Sequence, residues 1–212
     1  MPMNLEPLSG DNAAVVLVDY AIGFANVLRS TELGEHLNNV VGLTKTAQLY
    51  GLPLVVTNGI DSRPSGPLYP ELAEVLGDTP VVVRPDAAFN SFLDEGFARA
   101  VRETGRRRLI IGGIATDGCV LQTALGALRE GYEVYVVEDV TATTTVRAHE
   151  MAIQRMIMSG IVPITWWSLA AELQLDPKFK DSPVRSRLMA AHQPIMMMSG
   201  RTFLAGAATR QS

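Results

Sequence analysis

The sequence predicts a single α/β domain: a doubly wound, Rossmann-like parallel sheet of six strands with helices on both faces. Three observations carry that expectation. Six short runs are nearly all aliphatic: AAVVLVD (13–19), LPLVVTN (52–58), PVVVR (80–84), RLIIGG (108–113), YEVYVVED (132–139) and IVPITW (161–166). Continuous rather than alternating apolarity marks strands buried on both faces. Helical patterns lie between the runs, and parallel neighbours need right-handed crossovers, which helices supply. The length of 212 residues suits one domain, which can bury on the order of 70% of the surface it exposes when unfolded.

The elements follow in order. After the first run, Thr31 to Tyr50 carries Leu33, Leu37, Val40, Val41, Leu43 and Leu49 at near-helical spacing, with Gly51 placed to stop it. The second run leads into GIDSRPSGPLYP (59–70), the longest irregular stretch in the body of the domain and a candidate lid or pocket wall. Val120 to Arg129 follows the fourth run and ends at Gly131, and Val146 to Ser159 follows the fifth and ends at Gly160. A final helix, roughly Ser168 to Leu173, closes the body of the domain at 1–175. The rest, 176–212, begins with the polar DPKFKDSPVRSR (176–187) and continues as PIMMMSGRTFLAG. An apolar, Met-rich tail either packs on its own domain or clasps another subunit, and we expect an oligomer arm. No internal repeat or low-complexity segment interrupts the chain.

Composition excludes several function classes. Hydrophobic residues make up 47%, charged residues 19%, and the net charge is −4. Such a chain has no electrostatic footprint for nucleic acid. One cysteine makes no internal disulfide, and MPMNLEPLSGDN lacks the basic and apolar regions of a signal peptide, so a cytoplasmic location is expected. No apolar run approaches the roughly 20 residues needed to cross a bilayer.

In open parallel sheets, ligands bind beyond the carboxyl ends of the strands. Asp19 closes the first strand, Arg84 closes the third, and Cys119 opens the helix after the fourth. If strands one and four are neighbours, Asp19 and Cys119 face each other. In the first helical turn, unpaired amides and the helix dipole favour a thiolate at Cys119, while Gly112, Gly113 and Gly118 allow a tight turn and close approach of a substrate carbonyl. Packing as a small hydrophobe is the alternative for a lone cysteine. Asp19 suits a base that takes the thiol proton, or a cap for the following turn. Arg84 suits a partner for that acid or for a substrate carboxylate, or a solvated strand-end charge. The glycines do not match G-x-G-x-x-G, so nucleotide binding has little support. His36, His149 and His192 lack ligand spacing and are expected at the surface.

Together LVDY, VVVRPDAAF, GGIATDGCV and YVVEDVTAT resemble the isochorismatase-like cysteine hydrolases, and RMIMSGIVPITWWSLAAEL is similar to their YcaC-type branch. The similarity spans about residues 12–175, and its loop G-[IV]-x-T-x-x-C-V is the specific part. The resemblance implies strand order 3-2-1-4-5-6, Cys119 as nucleophile and Asp19 as base, with Arg84 at the third catalytic position. It implies a cis peptide between Ile114 and Ala115, and an oxyanion hole from the Ala115 and Cys119 N–H groups. Phe24, Asn58, Phe89 and Thr116 are the substrate-facing candidates, and a homo-oligomer such as an octamer is implied.

Two departures shape the expected chemistry. The third catalytic position, usually lysine, is Arg84, which keeps the charge but releases no proton near neutrality. The glutamine often found two places after the aspartate is Ala21. Nicotinamidase-like members of the family carry an Asp and His metal cluster just after the second strand, where this chain reads TNGIDSRPSG with no histidine, which argues against a nicotinamidase and against bound zinc. The expectation is a metal-free, cofactor-free cysteine hydrolase of a small amide, ureide or related C–N bond, working through a thioester. The alternative is a catalytically impaired small-molecule binder or assembly protein of the same fold.

Overall fold

A computed structural model describes residues 6–86 and 88–208. The amino-terminal segment read for targeting signals therefore begins outside the described residues, and the last residues of the tail, from 209, lie outside them too.

The chain runs β1 (Ala13–Val18), α1 (Ile22–Ala25), α2 (Leu33–Tyr50), β2 (Leu54–Asn58), α3 (Pro70–Leu76), β3 (Val81–Val83), α4 (Glu95–Glu103), β4 (Arg108–Gly113), α5 (Leu121–Arg129), β5 (Glu133–Val137), α6 (Val146–Met158), β6 (Val162–Ile164), α7 (Trp166–Leu173), α8 (Val184–His192) and α9 (Pro194–Ala208). The sheet is parallel throughout, in the order β3-β2-β1-β4-β5-β6. Each aliphatic run is a strand of this sheet, as its unbroken apolarity predicts.

β1 shows why the run must be apolar at every position. Ala13, Val15 and Leu17 join a core with Val40 and Leu43 of α2, Leu72 of α3, Trp166 and Leu169 of α7, and Leu188 of α8. Ala14, Val16 and Val18 join another with Phe97 and Val101 of α4, Ala124 of α5, and Ala152 and Met156 of α6. Successive side chains point to opposite faces, and both faces are covered. Each large aliphatic side chain buried this way contributes about 1.5–3 kcal/mol.

Helix boundaries follow local chemistry. Gly51, at φ 72°, takes the left-handed conformation that ends α2. Asp94 accepts from the Phe97 N–H at 2.9 Å to start α4, and Thr165 with Ser168 forms a reciprocal cap on α7. That cap starts α7 at Trp166, two residues before the expected Ser168. The helices α3 and α4 are additions to the sequence reading. The polar stretch after 175 is also more ordered than expected: α8 sends Val184 and Leu188 into the main core. In α9, Ile195 and Met198 remain exposed. No helix of the described residues is long and apolar enough to cross a membrane.

The central pair positions the site. Val18 stands beside Thr57 of β2 on one side and beside Gly113 of β4 on the other. A β-carbon on Gly113 would stand 2.4 Å from the Val18 carbonyl oxygen, and one on Gly112 would stand 2.6 Å from Val140 Cγ2. These glycines serve close packing of β4 against its neighbours rather than the substrate approach inferred from the sequence.

Candidate active site

Three loops meet at the carboxyl end of the sheet. Asp19 leaves β1 at φ 54°, a left-handed conformation that costs an L-residue about 1–2 kcal/mol and that aspartate tolerates better than most. Such positions cluster at functional sites. Its N–H donates to the Thr57 carbonyl at 3.1 Å, so Asp19 is held beside β2.

The carboxylate is bound at both oxygens. The Thr57 hydroxyl donates to Asp19 Oδ1 at 2.7 Å, and Arg84 Nη2 pairs with Asp19 Oδ2. Arg84 follows β3, where its N–H donates to the Asn58 carbonyl at 2.9 Å. Its other guanidinium nitrogens are also engaged: Nε donates to Thr57 Oγ1 at 2.9 Å, and Nη1 to the Ala88 carbonyl at 2.8 Å. At 4% exposure Arg84 is buried, not a solvated strand-end charge. Thr57, which the sequence does not single out, joins the carboxylate and the guanidinium in one network.

Cys119 sits in a wide helical turn, Thr116–Val120, that precedes α5 and bends at Gly118. Burial pushes its thiol up to about 12, and the charge and hydrogen bond of Asp19 push the same way, while Arg84 opposes them. The helix-mouth argument for a resting thiolate is therefore corrected. Desolvation and the neighbouring carboxylate both disfavour the thiolate expected from the helix mouth.

A cavity of about 130 Å³ collects Asp19, Arg84 and Cys119, with Phe24, Asn58 and Phe89 on its walls. Gly59, Arg63 and Ser65 reach it from the irregular stretch 59–70, which is a pocket wall as its composition suggests. The Ile114–Ala115 peptide is cis. The Ala115 carbonyl accepts from the N–H groups of Gly118 and Val120 at 3.0 and 3.1 Å, whereas the Ala115 N–H donates to no acceptor among the described residues.

Thr116 does not line the cavity. It is fully buried, and its hydroxyl lies 2.9 Å from His149 Nδ1. His149 Nε2 in turn lies 2.9 Å from Glu138 Oε1, and the Thr143 hydroxyl donates to Asp117 Oδ1 at 2.5 Å. The loop that carries Cys119 is thus fastened from behind by the segment after β5. The histidines are buried, not at the surface as expected. His36 packs between Tyr20 and Tyr69, each with its ring centre 5.9 Å away, and burial pulls it down to about 4. His192 bonds Asn38 at 2.9 Å and packs against Trp166. Among the described residues, no group of three or more His, Cys, Asp or Glu side chains is placed to hold a metal ion.

Fold and site together define a class. An isochorismatase domain matches residues 13–168, and the chain belongs to the isochorismatase-like hydrolase family. Within that family its relatives include YcaC. The probable hydrolase YcaC of Escherichia coli K12 is 37% identical over 169 residues, which cover 80% of this chain and 81% of the relative. The structure of YcaC from Pseudomonas aeruginosa with hexane-2,5-diol and covalent acrylamide matches with a TM-score of 0.88 at 33% identity, over 95% of this chain and 98% of that one. The E. coli YcaC structure, an octameric hydrolase of unknown specificity, matches with a TM-score of 0.87 at 34% identity, over 95% and 99%.

Proposed function

We propose that the chain is a metal-free cysteine hydrolase of a small amide, ureide or related C–N bond. The observation that carries this reading is the meeting of Asp19, Arg84 and Cys119, from three separate loops, at one cavity of about 130 Å³.

Because the thiol is held at about 12, its proton leaves as the attack occurs. Asp19 accepts it while the sulfur bonds to the carbonyl carbon and the carbonyl π pair moves onto oxygen. The Ala115 and Cys119 N–H groups receive that oxyanion. Collapse breaks the C–N bond, and the departing nitrogen takes the proton from Asp19. Water then attacks the thioester, giving its proton to Asp19; the sulfur leaves and recovers the proton. Arg84 holds the carboxylate in place and balances its charge throughout. A covalent acrylamide in the P. aeruginosa relative is what a reactive nucleophile in this fold would give.

The test is a panel of small amides and ureides with wild type and Cys119→Ala. We expect turnover by wild type and none by the variant; retained activity in Cys119→Ala would end this reading. The raised thiol pKa favours a second reading, a small-molecule binder with the same pocket. That protein would bind members of the panel without releasing amine.

The 176–212 tail fits a homo-oligomer arm. Ile195 and Met198 are 74% and 62% exposed, and the E. coli relative is octameric. Light scattering tests this, and a monomer refutes it. A single free cysteine also fits the reducing cytoplasm, where cell fractionation would find the protein.

A further inference from the structure

The histidine at the end of α8 has no part in the chemistry above. His192 is 7% exposed and sits where α8 gives way to α9, packed against the Trp166 ring of α7. Its polar partners lie on α2: Nδ1 is 2.9 Å from Asn38 Oδ1, and Nε2 is 3.3 Å from Lys45 Nζ. The His192 carbonyl accepts from Asn38 Nδ2 at 3.2 Å, so one residue grips both ring and backbone.

These partners fix the protonation of the ring. A lysine ammonium only donates, so Nε2 must accept. Nδ1 then carries the ring's hydrogen and donates to Asn38 Oδ1. The arrangement requires a neutral imidazole. A second proton has only Nε2 to go to, and there it would aim an N–H at a cation 3.3 Å away. Like charges that close repel, and burial adds a desolvation cost.

No acid stands by to relieve that repulsion. Lys45 is half-buried and pairs with no carboxylate among the described residues. From α2 the ring meets Asn38 and Lys45, and from α7 the uncharged Trp166. Within α8 and α9 the other charged residues are Arg185, Arg187 and Arg201, all cations. Asp139 joins the network at a remove: its Oδ1 accepts from the Trp166 N–H at 2.9 Å, and its carbonyl accepts from Asn39 Nδ2 at 3.1 Å.

We infer that His192 is an acid-sensitive latch on the carboxyl-terminal arm: the neutral ring pins the α8–α9 junction to α2, and protonation releases it. Burial and Lys45 both lower the His192 pKa from 6.5. The released ring takes its proton near 6.5 and the latched ring only at lower pH. The latch therefore holds fully above 6.5 and weakens as the pH falls below it. Val184 and Leu188 keep the earlier turns of α8 in the main core, so the junction and α9 are what the latch governs.

Hydrogen exchange read by mass spectrometry tests this in the full chain. The Gln193 and Met197 N–H groups donate to the Met189 and Gln193 carbonyls and span the junction. Their protection is measured at pH 7.5 and pH 5.5, corrected for the intrinsic exchange rate, beside that of β4. We expect wild type to lose about threefold to tenfold at the junction, tenfold being the limit that one histidine sets over this range. His192→Phe keeps a ring against Trp166 but takes up no proton, and should lose the pH dependence. Lys45→Gln keeps a donor for Nε2 without its charge, and should show a smaller loss than wild type.

Constant protection in wild type overturns the inference, as does a loss that survives His192→Phe or is undiminished in Lys45→Gln. Junction protection equal to that of β4 also overturns it, because the arm would then open only with the whole fold. If His192→Phe does not fold, wild type against Lys45→Gln still decides.

Discussion

The Thr57 hydroxyl donates to Asp19 Oδ1 at 2.7 Å while accepting from Arg84 Nε at 2.9 Å. One oxygen thereby fixes both members of the buried ion pair. Thr57→Val keeps the shape and removes both bonds. We expect kcat to fall about tenfold to a hundredfold with KM little changed, since hydrogen bonds to charged groups are worth about 1.5–3 kcal/mol. Thr57→Ser should restore the rate. Kinetics on an amide from the panel, beside a thermal melt, would check both.

Asp19 has opposite effects on resting thiol and reacting thiol. Its charge and its hydrogen bond both raise the Cys119 pKa, yet the proposed mechanism uses it as a base. Asp19→Asn should therefore bring the thiol down from about 12, short of its ordinary value because burial persists. Alkylation at pH 9 should speed up while hydrolysis stops. Slower alkylation in Asp19→Asn would refute the electrostatic account.

Thr116 is predicted to act on the loop that carries Cys119 rather than on substrate. Its bond to His149 at 2.9 Å is buried, so Thr116→Val leaves an unpaired nitrogen and should cost about 1–3 kcal/mol in chemical denaturation. The loop then loses a fastening, and kcat should fall with KM unchanged. Thr116→Ser should recover both stability and rate. A rise in KM alone would return Thr116 to the substrate wall.

His36 should make the fold acid-sensitive. Its ring is buried, Nδ1 and Nε2 have no partner among the described residues, and its pKa falls from 6.5 to about 4. The unfolded chain takes up a proton below 6.5 that the folded protein refuses until about 4. Stability present above 6.5 is thus lost as the pH falls toward 4, by about 3 kcal/mol. Asp139, raised to about 6 by burial, works the other way, gaining stability as the pH falls through 6. It is present in wild type and in His36→Leu alike. The difference between those two proteins should therefore grow by about 3 kcal/mol in favour of the variant from pH 7 to pH 4. Urea titrations across that range would measure it.

The sheet was legible because burial on both faces leaves an unbroken aliphatic signature. The candidates at its carboxyl edge were legible because a parallel sheet gathers strand ends on one side. Other features depend on partners distant in sequence. Thr57 looks like an ordinary β-former in LVVTN until Asp19 and Arg84 arrive on either side of it. His149 looks like a helix-surface residue until Thr116 packs behind it. The thiol pKa depends on how deeply the folded loops bury Cys119, which no local pattern encodes. The short helices α3 and α4 expose few apolar positions, though Pro70 and Asp94 mark their starts.

The contact between Gly113 and Val18 sets a limit on how this chain can diverge. Any side chain there would act as a wedge between the two middle strands, at the end where one continues into the carboxylate and the other toward the sulfur. Pocket walls such as Phe24, Ser65 and Phe89 carry no such constraint. Laboratory evolution toward new substrates should randomise those walls and leave positions 112 and 113 as they are.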